Sequence, residues 1–168
     1  MVASADTRAT ATQGSAAAPR VALVTGAGKR LGRAIALALA QDGWNIGVHC
    51  RDSVAEAEQT VQDIQALDRR AVVLQADLDD AGQCQTLVPR LADALGPVSG
   101  LVNSASRFEY DDIRAFTPES LQQHLVPNLM APLLLAQSLV SQLPAAPVQG
   151  VIVNLLDQKL FNLNPDFL

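Results

Sequence analysis

Thr25-Gly26-Ala27-Gly28-Lys29-Arg30-Leu31-Gly32 stands between a short apolar run, residues 20–25 (RVALVT), and a helical pattern, residues 31–41 (LGRAIALALAQ). The run has the continuous apolar character of a strand buried on both faces, and glycines end it. Glycines at such a junction allow a tight turn and close backbone approach, while the following helix offers its N-terminal N–H groups to a pyrophosphate. A glycine-rich turn alone is a common structural feature. Between the strand and helix of one βαβ unit it points to a dinucleotide.

The alternation continues outward. Asp42-Gly43 closes the helix, residues 45–49 read as a second strand, and Ser53 can cap a helix running to about Leu67. Residues 71–74 form a third strand, 81–95 a helix ended by Gly96-Pro97, and 100–102 the start of a fourth strand. Thr117 opens a helical region to about Leu143, kinked or divided near Pro127 and Pro132, and residues 151–155 (VIVNL) make a fifth strand. This order predicts an α/β, doubly wound parallel sheet with right-handed crossovers. Residues 1–19 are rich in Ala, Thr and Ser, lack an apolar period and lack a secretory h-region. They are expected to be a disordered tail, with residues 20–168 forming one nucleotide-binding domain.

Composition narrows the function classes. A chain of 168 residues, 49% hydrophobic and 17% charged, can bury a sizeable core and is too apolar for a disordered polymer. The net charge of −5 gives no electrostatic footprint for nucleic acid or an anionic membrane. Cys50 and Cys84 lie 34 positions apart, and there are only two histidines. Neither a disulfide framework nor a metal site is expected, and a reducing cytoplasm is. No uninterrupted apolar run approaches the roughly 18 residues that cross a bilayer.

The second strand should end beside the adenosine ribose of a bound dinucleotide, where an acidic residue would suit the two hydroxyls of NAD. The residue 19 positions past Gly32 is Arg51, followed by Asp52 and Ser53. A guanidinium and a hydroxyl suit a 2′-phosphate, and Lys29 and Arg30 add positive charge nearby, so NADP(H) is favoured over NAD(H). Asp52 keeps the other choice open, since it could reach the ribose of NAD. A solvated loop charge is the plainer alternative.

Asp77-Leu78 after the third strand, Asn103-Ser104-Ala105-Ser106 after the fourth, and Asn128 in the long helix complete a set with the glycine turn. Together they resemble the short-chain dehydrogenase/reductase family, and especially its pteridine reductase branch, over about residues 20–168. The resemblance implies a Rossmann-type sheet, a small-molecule substrate and a homo-oligomer in the full-length form. The family's turn usually reads TGxxxGxG; here Arg30 replaces the middle glycine, as in pteridine reductases. By resemblance Gly26, Lys29, Arg30, Leu31 and Gly32 bind the cofactor, Asp77 accepts from the adenine amino group and Leu78 gives it a backbone contact. Asn103 to Ala105 correspond to the NNAG motif, with Ser104 departing from its second asparagine. Asn128 matches the asparagine that holds a proton-relay water; an asparagine satisfying the carbonyls of a kinked helix is the alternative.

Aligning IVNL with the family's fifth strand places Asp157 where most members carry a catalytic serine and pteridine reductases an aspartate. Reducing a dihydropterin needs a hydride to ring carbon and a proton to the neighbouring nitrogen, and a carboxylate beside a phenol can feed that proton from solvent. A strand-end cap is the alternative for Asp157. Ser106 and Phe108 match the branch's substrate serine and the aromatic that stacks on the pterin, although a lone Phe after a strand is more often core. Arg30 and Asp157 join them on the substrate side. The family's catalytic tyrosine, with a lysine four positions later, falls about a dozen residues beyond Asp157, and Leu168 is eleven residues on. Tyr110, with Arg114 four residues later, copies the spacing from the wrong loop and reads as a decoy. The expectation is the N-terminal two-thirds of an NADPH-dependent reductase of dihydropterins, with the C-terminal strands missing and no turnover by this length alone. A general carbonyl or oxoacyl reductase, and a catalytically inactive nucleotide-binding module, are the alternatives.

Overall fold

In the computed structural model of the chain, residues 20–110, 112–143 and 149–157 are described. The expected N-terminal tail, together with Lys159, lies outside them. The elements run β1 (Val21–Val24), α1 (Arg30–Gln41), β2 (Asn45–Cys50), α2 (Val54–Gln65), β3 (Ala71–Gln75), α3 (Ala81–Leu95) and β4 (Gly100–Asn103). Then come α4 (Pro118–Leu125), a wider π-helical turn (Val126–Met130), α5 (Ala131–Gln142) and β5 (Val151–Asn154). The five strands pair in parallel in the order β3-β2-β1-β4-β5. Chain order therefore reverses between β1 and β4, the place where doubly wound sheets bind ligands.

Alternation along β1 feeds two cores. Val21 and Leu23 join a cluster with Cys84, Leu87, Val88 and Leu91 of α3 and Leu135 and Leu139 of α5. Ala22 and Val24 join Ala36 and Ala40 of α1 and Ala57 and Ile64 of α2 on the opposite face. The helix α1 buries Gly32, Ala36 and Ala40, one small residue per turn, which seats its backbone close to the sheet. Asp80 caps α3 by accepting from the N–H groups of Gly82 and Gln83 at 2.8 and 3.1 Å. Thr117 and Ser120 form a reciprocal capping box that starts α4.

Two local expectations change. Ser53 stands at the N-cap position of α2 but makes no side-chain cap bond. Its φ/ψ of −85°/57° departs from the extended cap geometry that aims a hydroxyl at the first turn. The stretch Pro118–Gln142 is one 25-residue helical run, and by length and composition alone an 18-residue window of it, with a mean hydropathy of 1.2, is apolar enough to cross a membrane. Its uninterrupted apolar stretches stay short, because Asn128, Gln137 and Ser138 break them, and the helix itself continues through its prolines. Pro127, which has no N–H to donate, sits in the wider π-turn and does not end the helix. On one side the run packs against the core, burying Ala131, Leu135 and Leu139.

Candidate functional site

The carboxyl ends of the strands open into one cleft of about 1310 Å³. It brings together Gly26, Lys29, Arg30, Leu31 and Gly32 from the first turn, Arg51 and Ser53 from the second, and Asp77 and Leu78 from the third. Asn103, Ala105, Ser106 and Phe108 after β4, Asn128 in the π-turn and Asp157 after β5 complete the lining. Every candidate site residue named from the sequence therefore faces one space.

The first turn is held by backbone geometry. Gly26 has φ +65°, and a Cβ there would stand 3.1 Å from the Ala105 Cα. A Cβ on Gly32 would stand 2.3 Å from the Gly26 carbonyl oxygen, so only glycine lets α1 start this close. Thr25 Oγ1 accepts from the N–H groups of Ser104 and Ala105 at 2.9 Å each, stapling the β4 turn to the β1 turn. No side chain caps the start of α1. Arg30 has φ +48°, so the turn keeps the left-handed conformation that a glycine would adopt freely. A non-glycine there costs on the order of 1–2 kcal/mol.

At the expected ribose end, two of the three expected cations, Arg51 and Lys29, have anionic partners. Arg51 Nε donates to Asp52 at 2.7 Å, a bond that raises the guanidinium pKa further. Lys29 pairs with Glu56 at 2.6 Å and holds that carboxyl below its usual range. A ligand phosphate would therefore share Arg51 with Asp52. On the adenine side, Asp77 Oδ1 accepts from the Asp79 N–H at 3.0 Å, and the Leu78 side chain is buried in the core.

The opposite end is built from side chains on a loop. Asn103 Nδ2 donates to Asn154 at 2.8 Å, while Asn103 Oδ1 is buried without a partner among the described residues. Asn128 accepts from the Arg107 N–H and donates to the Arg107 carbonyl, both at 2.8 Å. Its side chain thus reaches across to the β4 loop rather than to the carbonyls of its own helix. Arg107 also bridges to Asp79 at 3.1 Å, joining the adenine and β4 loops. Phe108 is 70% exposed on the cleft wall, which overturns the core reading of this ring. Tyr110 is 67% exposed and does not line this cleft.

Sequence reasoning missed His49, the Thr25 hydroxyl, Arg107 and the anions Glu56 and Asp79. A polar residue inside the apolar run of β2 was the available signal for His49; the ion pairs left none. Among the described residues no group of three or more His, Cys, Asp or Glu side chains assembles a metal site.

The sequence model of the short chain dehydrogenases matches residues 20–158. An uncharacterized oxidoreductase of Methylorubrum extorquens is 35% identical over 136 residues, covering 81% of this chain and 54% of the relative. A 3-oxoacyl-[acyl-carrier-protein] reductase of Aggregatibacter actinomycetemcomitans is 36% identical over 107 residues, covering 64% and 44%. The chain spans about half the length of these curated relatives. Among solved structures, the alternative dihydrofolate reductase 1 FolM of Brucella suis, in complex with NADP, superposes with a TM-score of 0.82 at 35% identity. That match covers 88% of this chain and 61% of the other.

Proposed function

The chain belongs to the short-chain dehydrogenase family, and from that premise we propose that its cleft binds NADP(H) and serves reduction of a dihydropterin or related pteridine. The observation that carries this reading is Arg30. It is held at a positive φ where glycine is cheaper, in the cleft that Phe108 and Asp157 also line. Strain kept at a cleft residue points to function. The FolM relative, an alternative dihydrofolate reductase with bound NADP, supports the same reading.

The residues fit the cofactor. Gly26 against Ala105 and Gly32 against the Gly26 carbonyl let the turn pack tightly onto the start of α1, whose uncapped N–H groups would face a pyrophosphate. Arg51, with its terminal nitrogens beyond the Asp52 bond, and Ser53 would take the 2′-phosphate. Asp77 and Leu78 would bound the adenine, and the buried Asn103 oxygen offers an unused acceptor in the cleft wall. Bound NADPH supplies a hydride. On the protein's side, Phe108 offers a planar face to a flat ring, Ser106 and Arg30 offer polar contacts, and Asp157 carries a proton toward a ring nitrogen. Asn128 acts through the loop it holds.

A general carbonyl or oxoacyl reductase is the second reading, favoured by the 3-oxoacyl-[acyl-carrier-protein] reductase relative. Asp157, standing in place of a serine, weighs against it. Steady-state turnover by the full-length protein with dihydropterins and a ketone panel separates the two. The proposal expects NADPH-dependent dihydropterin reduction. Brisk ketone reduction without it would overturn the pteridine reading, and cofactor binding without any turnover would favour an inactive binding module.

A further inference from the structure

His49 lies on the face of β2 that Gly47 turns toward Leu91 of α3, opposite the apolar Ile46, Val48 and Cys50, and it is 2% exposed. Its ring makes two bonds to backbone groups of different loops. Nδ1 lies 3.1 Å from the Gly26 nitrogen, and Nε2 lies 3.2 Å from the Ala76 carbonyl oxygen. An amide N–H can only donate and a carbonyl oxygen can only accept. The ring is therefore neutral, with its proton on Nε2. The His49 carbonyl also accepts from the Ala27 N–H at 2.9 Å, so one residue holds two consecutive N–H groups of the phosphate turn. Ala76 directly precedes Asp77, the candidate adenine contact.

We propose that His49 is a positioning residue for the dinucleotide: its neutral ring, braced on the Ala76 carbonyl, fixes Gly26 of the phosphate turn in the binding shape. This rests on the cofactor reading above. A histidine that merely filled core space would also pair its nitrogens, but it would have no need to choose the backbone of two cleft-lining turns as partners. Moreover, Gly26 spends its N–H on the ring, so the turn's amides are divided between structure and ligand. A protonated ring would aim Nδ1–H at the Gly26 N–H, and the turn would lose its anchor. Burial pushes the ring's pKa down to about 4, which keeps it neutral across the ordinary working range. Arg90 on α3 and Asp77 after β3 are the charged groups acting on it, with opposite sign.

Two substitutions separate the bonds. In His49→Asn the amide oxygen takes the place of Nδ1 and keeps the Gly26 bond; in His49→Gln the amide reaches only the Nε2 position and keeps the Ala76 bond. Both leave a buried group imperfectly matched, so both lower the melting temperature. A merely structural histidine predicts equal loss of NADPH affinity in the two. Positioning predicts NADPH affinity within about threefold of wild type for Asn and weakened roughly fivefold to tenfold for Gln, the worth of one hydrogen bond. Amide hydrogen exchange at Gly26, read by NMR without cofactor, should stay slow in wild type and His49→Asn and become fast in His49→Gln. In wild type, ring nitrogen shifts should report the Nε2–H tautomer, which needs no variant to fold. An Nδ1–H tautomer, or Gln matching Asn in exchange and affinity, would overturn the proposal. Wild-type protein that binds no dinucleotide would instead overturn the cofactor reading, and Gly26 exchange would still decide whether the ring holds the turn.

Discussion

The two ends of the cleft are built by different means. The phosphate end is backbone fitted to backbone: Gly32 against the Gly26 carbonyl, the Thr25 hydroxyl on two N–H groups, and the His49 ring beneath the turn. The substrate end is a loop whose Phe108 stands 70% exposed and whose shape is kept by the Asn128 amide and the Arg107 ion pairs. The first is part of the core and changes only with loss of the fold. The second is separable from it, so on the proposed reading substrate choice would vary while the cofactor end stays fixed.

The largest effect belongs to Gly32→Ala. Its Cβ would sit 2.3 Å from a carbonyl oxygen that cannot move without shifting the turn. A loss of about 3 kcal/mol or more in unfolding free energy is expected, together with loss of NADPH binding. Chemical denaturation checks it, and a variant of near-native stability would break the comparison at its strongest point.

Next in size is the pH dependence from His49. Its pKa falls from 6.5 unfolded to about 4 folded, so the unfolded chain binds the extra proton first. Stability from this group is fully present above pH 6.5 and is lost as pH falls toward 4. The change is up to about 3 kcal/mol, at roughly 1.4 kcal/mol per pH unit. Denaturation curves of wild type and His49→Asn between these pH values should converge as the pH drops.

Arg51→Ala should cut the preference for NADPH over NADH roughly tenfold, with little change in melting temperature. The guanidinium is half-exposed and already shared with Asp52, so the lower end of a charge-assisted bond's worth applies. Paired titrations with both cofactors measure it. Smallest in stability is Phe108→Ala, expected within about 0.5 kcal/mol of wild type because the ring is exposed, yet harmful to dihydropterin turnover. A large stability loss would move Phe108 into the scaffold and blur the two ends.

The same division explains what could be read from the sequence. Parallel strands announce themselves as apolar runs even where, as in β5, this chain leaves them exposed, and each of the five lies within a residue or two of its expected place. Glycines at strand ends mark close approach, so the phosphate turn was legible too. The sharing of Arg51 with Asp52 and of Lys29 with Glu56 was not, because an ion pair depends on side-chain reach across a turn rather than on spacing. Asn128 was legible as a candidate and does line the cleft, but its grip on Arg107 spans 21 positions of chain that no local pattern records. His49 hid in a strand because one polar residue in an apolar run reads as an exception until both ring nitrogens have partners.

The most direct test of the central claim is a fluorescence titration of the chain with NADPH and NADH at one ionic strength. The account predicts NADPH binding at least about tenfold tighter, as a charge-assisted contact to a 2′-phosphate requires. Equal affinities, or tighter NADH, would contradict it and leave Asp52 as the residue that governs the ribose.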